Sequence, residues 1–90
     1  MKVLIVGGGG REHAIAWKLA VEDPSLEIVA APGNPGIALL GRNAQVAATD
    51  IAGLTALARR ERVDLTIVGP EAPLDLGIVD HFRSMELAVF

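Results

Sequence analysis

Four consecutive glycines followed by charged residues form the segment of this sequence best suited to hold an anion. Gly7–Gly10, the glycine loop, leads into Arg11. Glycine allows positive φ and a close approach of the backbone to a ligand. A helix that begins here presents unpaired N–H groups and the positive end of its dipole to a phosphate. A basic side chain in the first turn is unfavourable unless an anion or a carboxylate compensates, so Arg11 favours an anion site. The alternative is a tight strand-to-helix turn with Arg11 solvated.

The glycine loop departs from the dinucleotide fingerprint G-x-G-x-x-G. Counted from Gly7, the place of the third glycine holds Glu12, and counted from Gly8 it holds His13. The acidic residue expected at the end of the second strand is replaced by Ala-Ala-Pro at positions 30–32. No Gly-Lys-Ser/Thr occurs either, which excludes a P-loop. Binding of NAD or FAD is therefore disfavoured.

Two further loops rich in glycine and proline follow predicted strands. The second loop, residues 32–36, contains Asn34, whose side chain offers a donor and an acceptor between two stiffening prolines. The third loop, residues 69–73, holds Glu71 between prolines, where its carboxylate could bind sugar hydroxyls or an amine. The alternatives are a surface turn and a carboxylate placed near a helix N-terminus. Asp75 suits that terminus better, which favours the functional interpretation of Glu71.

No pattern indicates a nucleophile, a general-acid pair or a metal site, so we predict no catalytic residue and no metal in this chain. His13 and His81 lack metal-ligand spacing; we expect His13 to pack on its helix and His81 to be solvated, and we place Trp17 in the core.

The chain has 8 basic and 11 acidic residues with no basic stripe, and 3% aromatics, which argues against a nucleic-acid partner. Zero cysteines and no apolar run near the ~20 residues of a membrane helix fit a cytoplasmic protein without a membrane partner.

The elements that position these loops alternate between strand and helix. Apolar runs predict strands, and apolar residues at helical spacing predict helices. Strands are predicted over 2–6, 26–31, 44–47, 64–68 and 87–90; helices over 11–21, from an Asp50 N-cap through 51–58, and over 74–85; and a helical turn over 37–40. This order predicts one α/β domain over 1–90, an open, mostly parallel sheet with helices on both faces. Loops that follow parallel strands open on the carboxyl edge, where such sheets bind ligands.

The three loops in this order resemble those of phosphoribosylamine–glycine ligases, also called glycinamide ribonucleotide synthetases. The matching segments are residues 2–14, 31–36 and 64–74, followed by Gly77 and Asp80. The resemblance implies a Rossmann-like preATP-grasp domain that binds substrate, at the N-terminus of an ATP-grasp carbon–nitrogen ligase. That enzyme joins glycine to 5-phosphoribosylamine with ATP, through a glycyl phosphate, and gives glycinamide ribonucleotide in de novo purine biosynthesis.

The resemblance also implies the site residues and the partners. The residues expected to line or approach phosphoribosylamine, or a similar sugar phosphate, are Gly8, Gly9, Gly10, Arg11, Glu12, Asn34, Pro35, Gly36 and, near the ribose or amine, Glu71. Family members are several times longer, and their ATP-grasp and C-terminal domains are absent here. ATP and Mg²⁺ (or Mn²⁺) are thus expected to bind outside this chain, with no cofactor in 1–90, and we expect the chain alone to be inactive.

Two alternatives stay open at this point: a noncatalytic binding module of the same fold, and a nucleotide-cofactor domain of an oxidoreductase. An ATP-grasp domain encoded beyond codon 90 would favour the ligase, whereas a stop codon there would favour the module. Titration with ribose 5-phosphate and with NAD separates the ligase from the oxidoreductase.

Overall fold

A computed structural model describes residues Met1 to Phe90 and shows a four-stranded, all-parallel sheet in the order β3-β2-β1-β4. The strands are β1 (Lys2–Gly7), β2 (Glu27–Pro32), β3 (Arg42–Asn43) and β4 (Leu65–Val68). The helices are α1 (Gly10–Glu22), α2 (Pro35–Ala38), α3 (Ile51–Arg60), α4 (Glu71–Asp75) and α5 (Ile78–Ser84). The predicted parallel α/β fold is confirmed.

Alternating residues of the central strands point into two separate cores, as the period of two in a strand requires. On one face Val3 and Ile5 pack with Ala16 of α1 and Ile37 of α2. On the other face the cluster combines strand residues with those of α3 and α5: Leu4, Val6, Val29, Ala31, Leu54, Leu57, Ala58, Ile78 and Phe82. Helices thus cover both faces, which explains why the strands are apolar without alternation.

The register places the loops after β1, β2 and β4 side by side. Gly7 of β1 pairs with Pro32 of β2, and Val6 of β1 pairs with Val68 of β4. After β1 the chain adds β2 and β3 on one side of β1, and it then returns to place β4 on the other side of β1. The direction in which strands are added therefore reverses between β1 and β4. In open α/β sheets the crevice at such a reversal, beyond the carboxyl ends of the strands, is where ligands bind.

The prediction of a third strand over 44–47 was wrong. The strand is only β3, and the chain leaves the sheet after Ala44, whose N–H donates to Ala30 O at 2.8 Å. The alternating apolar residues that suggested a strand instead pack as a loop against the core beside α3. The Asp50 N-cap is confirmed, since its Oδ1 accepts from Gly53 N at 2.9 Å.

A single helix over 74–85 was also wrong. Gly77 lies in the left-handed region at φ 81° and separates α4 from α5. α4 begins inside the predicted third loop, at Glu71, and Asp75 is its last residue, so Asp75 cannot serve the first turn as we had argued. In the same way, α2 begins inside the second loop, at Pro35, two residues before the predicted helical turn.

Two further predictions concern the surface. Residues 87–90 begin to pair with β4 as predicted for the start of a fifth strand, but only as an isolated parallel bridge between Val89 and Thr66; Thr66 N donates to Ala88 O at 3.1 Å, and Phe90 N donates to Thr66 O at 2.7 Å. Trp17 is 55% exposed rather than part of the core, because α1 turns Glu12 and Ala16 inward and leaves Trp17 on its outer side.

Candidate functional site

The loops after β1 and β4 enclose a polar cleft of about 390 Å³, called here the carboxyl-edge cleft. Its wall combines the charged side chains of Arg11, Glu12 and Glu71 with glycine backbone and the apolar ring of Pro70. The lining residues are Gly9, Gly10, Arg11, Glu12, Gly69, Pro70 and Glu71. The cleft therefore lies at the strand reversal and is suited to a polar ligand.

The N-terminus of α1 faces this cleft with free backbone donors. Gly9 is the N-cap, and His13 N is the first amide to bond back along the helix, to Gly9 O at 3.1 Å. The N–H groups of Gly10, Arg11 and Glu12 have no hydrogen-bond partner within the chain. Arg11 is exposed and makes no ion pair. Free amides, the helix dipole and a guanidinium together form an environment that favours an anion.

Glu12 lies buried between the first and third loops. It is 6% exposed, and its Oε1 accepts from Gly9 N at 2.9 Å. Only glycines leave room for it: a Cβ on Gly7 would lie 2.5 Å from Oε1, and one on Gly69 would lie 2.8 Å from Cδ. Its second oxygen, Oε2, has no hydrogen-bond partner in the protein. The side chain thus shapes the glycine loop and also leaves one acceptor at the cleft.

Glu71 is the first residue of α4 and is exposed at the cleft. A carboxylate at a helix N-terminus interacts favourably with the dipole, so this structural interpretation holds beside the functional one. The cleft combines one guanidinium, from Arg11, with two carboxylates, from Glu12 and Glu71. Such a mixture suits a ligand with an anionic group at one end and hydroxyl or amino donors at the other.

The second loop supports the first and does not line the cleft. Asn34 Nδ2 donates to Gly8 O at 3.0 Å and to Gly9 O at 3.4 Å, while its Oδ1 caps α2 by accepting from Ile37 N at 2.9 Å. Gly36 packs against the His13 ring, where a Cβ would lie 2.5 Å from Cε1. Of the residues predicted for the site, the structure thus gathers Gly9, Gly10, Arg11, Glu12 and Glu71 at the cleft, and places Gly8, Asn34, Pro35 and Gly36 beside it.

Three residues of the site were not among the predicted binding residues. Gly69 and Pro70 belong to the predicted third loop and line the cleft, and their position directly after a buried strand was a usable signal. Asn43 Nδ2 donates to Asn34 O at 2.8 Å, and nothing in its local sequence marked it. Beside the cleft, Gly10, His13, Ala14 and Trp17 border a shallow hollow of about 320 Å³, so His13 is half-buried next to the glycine loop.

The strongest charge cluster lies at the opposite, amino edge of the sheet. Glu61 accepts from Arg42 Nη2 at 2.6 Å and from Lys2 Nζ at 3.2 Å. These bonds, with Arg42 as the larger cause, lower the pKa of Glu61 from 4.5 to about 2. The cluster joins β1, β3 and the end of α3, and it plays no part in the cleft.

No group of three His, Cys, Asp or Glu side chains is placed to hold a metal ion, and none of the helices has the length and apolarity to cross a membrane.

Comparison with known proteins gives consistent matches along the whole chain. The family model described as phosphoribosylglycinamide synthetase, N domain, matches residues 1–90. Curated relatives include phosphoribosylamine–glycine ligases from Xylella fastidiosa (strain 9a5c), 55% identical over 92 residues, Yersinia pestis, 54% over 92, and Salmonella typhimurium, 53% over 93. The alignments cover 100% of this chain and 21%, 22% and 21% of those relatives, respectively, so the chain spans about a fifth of their length.

Solved structures agree in fold. A phosphoribosylamine–glycine ligase from Thermotoga maritima superposes with a TM-score of 0.59 at 26% identity, over 80% of this chain and 16% of that one. A glycinamide-RNase-transformylase T from Mycobacterium tuberculosis gives a TM-score of 0.65 at 19% identity, over 99% of this chain and 28% of that one. At that identity the second likeness concerns the fold alone.

Proposed function

The chain belongs to the phosphoribosylglycinamide synthetase family, whose N domain it matches throughout, and on this basis we propose that residues 1–90 are the substrate-binding domain of a phosphoribosylamine–glycine ligase. The reaction proposed for the whole enzyme is the ATP-dependent joining of glycine to 5-phosphoribosylamine, which yields glycinamide ribonucleotide for purine biosynthesis. As such an enzyme it would work in the cytoplasm.

The observation that carries the proposal is the mixed polarity of the carboxyl-edge cleft. The free amides of the first turn of α1 and the Arg11 guanidinium would bind the phosphate of the sugar. Glu71, and the unpaired Oε2 of Glu12, would accept hydrogen bonds from ribose hydroxyls or the amine. A purely anionic ligand would be repelled by two carboxylates, and a purely cationic one by the guanidinium and the helix dipole. Phosphoribosylamine meets both conditions, because it has a phosphate group as well as hydroxyl and amino groups that donate hydrogen bonds.

ATP and its metal do not fit the residues present here. The chain has no P-loop and no cluster of metal-ligating side chains. We therefore propose that ATP and Mg²⁺ (or Mn²⁺) bind to an ATP-grasp part of the enzyme outside residues 1–90, which span about a fifth of the relatives' length. Residues 1–90 would bind and orient the sugar phosphate without catalysing ligation by themselves.

Binding measured by calorimetry tests this proposal on the full chain. Ribose 5-phosphate is expected to bind saturably, ribose at least ~10-fold more weakly because it lacks the charged group, and NAD not at all. Equal affinities for ribose and ribose 5-phosphate would show that the cleft does not bind the phosphate group. Tighter binding of NAD than of ribose 5-phosphate would support the oxidoreductase alternative instead.

A further inference from the structure

We propose that Asn34 is a positioning residue of the sugar-phosphate site, which holds the carbonyls of Gly8 and Gly9 so that the free amides of α1 face the cleft, and that Asn43 holds Asn34 in place. The proposal rests on the function proposed above for the cleft. It assigns the second loop a role in shaping the site in place of direct contact with the ligand.

Every polar group of the Asn34 side chain is already used inside the protein. Nδ2 donates to Gly8 O and Gly9 O, and Oδ1 accepts from Ile37 N. Asn34 does not line the cleft, whereas Gly9 and the first turn of α1 do. Its effect on a ligand must therefore act through the glycine loop.

Asn43 fixes the backbone of Asn34 from the neighbouring strand β3. Its Nδ2 donates to Asn34 O at 2.8 Å, while its Oδ1 is buried without any hydrogen-bond partner. An unpartnered buried acceptor costs free energy, so the Asn43 side chain is not explained by stability alone. Asn34 O also accepts from Ala38 N at 3.1 Å and would not be left unpaired without Asn43. The hydrogen bond of Asn43 therefore serves to locate Asn34.

A run of four glycines needs such restraints more than other sequences do. Glycine has the largest conformational freedom of all residues, and a ligand's apparent affinity falls with the fraction of the protein in the binding conformation. The loop is also restrained by the bonds from Gly9 N to Glu12 Oε1 at 2.9 Å, from Gly33 N to Gly7 O at 3.0 Å and, in the backbone of α1, from His13 N to Gly9 O at 3.1 Å. Asn34 is the side chain that restrains the loop carbonyls.

The test uses Asn34→Asp and Asn43→Ala in the full chain. Aspartate keeps the oxygen that caps α2, because Asp and Asn are equally good N-caps, but it replaces the donor to Gly8 O and Gly9 O by an acceptor. Asn43→Ala changes no charge and removes no cleft residue. Asp50→Ala is the matched control: it removes a cap of the same 2.9 Å geometry from α3, away from the glycine loop.

Two readouts are measured: ribose 5-phosphate affinity, and amide hydrogen exchange of residues 8–10 without ligand. We expect Asn34→Asp to weaken binding ~10-fold and Asn43→Ala ~3-fold, as the competent fraction falls, and both to speed exchange in the loop. Asp50→Ala should lower stability but leave both readouts unchanged.

Unchanged exchange at residues 8–10 in both variants would overturn the proposal, whether or not any sugar phosphate binds. Weaker binding in Asn34→Asp alone, with normal exchange and a normal Asn43→Ala, would also overturn it, because it would indicate direct contact or charge repulsion. Failure of the unaltered chain to bind ribose 5-phosphate would instead contradict the proposed function. Faster exchange in both variants would then still support the restraint of the glycine loop by Asn34 and Asn43.

Discussion

At the scale of single residues, Arg11 supplies the positive charge of the carboxyl-edge cleft, and no carboxylate of the chain neutralises it. A charge-assisted hydrogen bond contributes about 1.5–3 kcal/mol. We therefore predict that Arg11→Ala weakens ribose 5-phosphate binding ~10- to 100-fold in a calorimetric titration. Arg59→Ala is the control, since Arg59 is exposed in the last turn of α3, and it should leave the affinity unchanged. Equal affinities in all three proteins would show that Arg11 does not contact the phosphate.

The burial of the Glu12 carboxylate leads to a second prediction, which concerns the stability of the folded chain. A methyl group at Gly69 would collide with Glu12, whose Cδ would lie 2.8 Å away, so Gly69→Ala should lower the free energy of unfolding by about 1–3 kcal/mol. The same change should cost much less in a Glu12→Ala background, because the collision is gone. Gly10→Ala, where a Cβ meets nothing within 4 Å, should be neutral or slightly stabilising. Additive effects of the Gly69 and Glu12 substitutions in chemical denaturation would show that the two residues do not interact.

At the scale of secondary-structure elements, Gly77 decides where α4 ends and α5 begins. Its φ of 81° is unfavourable for residues with a side chain, although a Cβ there meets nothing within 4 Å. Gly77→Ala should therefore destabilise the chain by about 1–2 kcal/mol through backbone strain alone. Gly77→Asn should cost less, since asparagine tolerates the left-handed region better. Thermal unfolding of the two variants checks this order, and equal losses would mean that the strain is relieved by a shift of the helix boundary.

Elements with strong local signals were predictable, and those decided by distant contacts were not. β1, β2 and β4 are continuous apolar runs, and Asp50 lies at a standard N-cap position, so their prediction from sequence succeeded. The apolar spacing across 74–85 carried no sign of the left-handed Gly77. β3 is short because the chain beyond it packs against α3, which its own residues do not reveal.

The same division applies to the site. The glycine loop and Glu71 stood out because glycines and a carboxylate follow buried strands. The burial of Glu12 depends on room left by Gly69, far along the chain, and could not be deduced locally. The link from Asn43 through Asn34 to the glycine loop likewise exists only once β3 lies beside β2.

At the scale of the whole molecule, Glu61 at the end of α3 accepts hydrogen bonds from Lys2 of β1 and Arg42 of β3, so it links these three elements at the amino edge of the sheet. Its pKa of about 2 in the folded chain lies below the usual 4.5, so the stability it contributes is present above about pH 4.5 and is lost as the pH falls toward 2. We predict that Glu61→Gln is less stable than the unaltered chain at neutral pH, and that this difference shrinks over that window. Denaturation at a series of pH values measures it. Glu22→Gln, which removes an exposed carboxylate paired with Lys18, should differ little from the unaltered chain at any pH, and a constant Glu61 difference down to pH 2 would contradict the assignment.

The place on the molecule where a sugar phosphate binds is the central feature of the proposed site. The direct measurement is a titration of the isotope-labelled chain with ribose 5-phosphate, followed through the backbone amide signals. Saturable shifts are predicted at Gly10, Arg11, Gly69 and Glu71, with the amino-edge residues Arg42 and Glu61 unaffected. Saturable shifts confined to the amino edge, or no saturable shift at the cleft, would contradict the account.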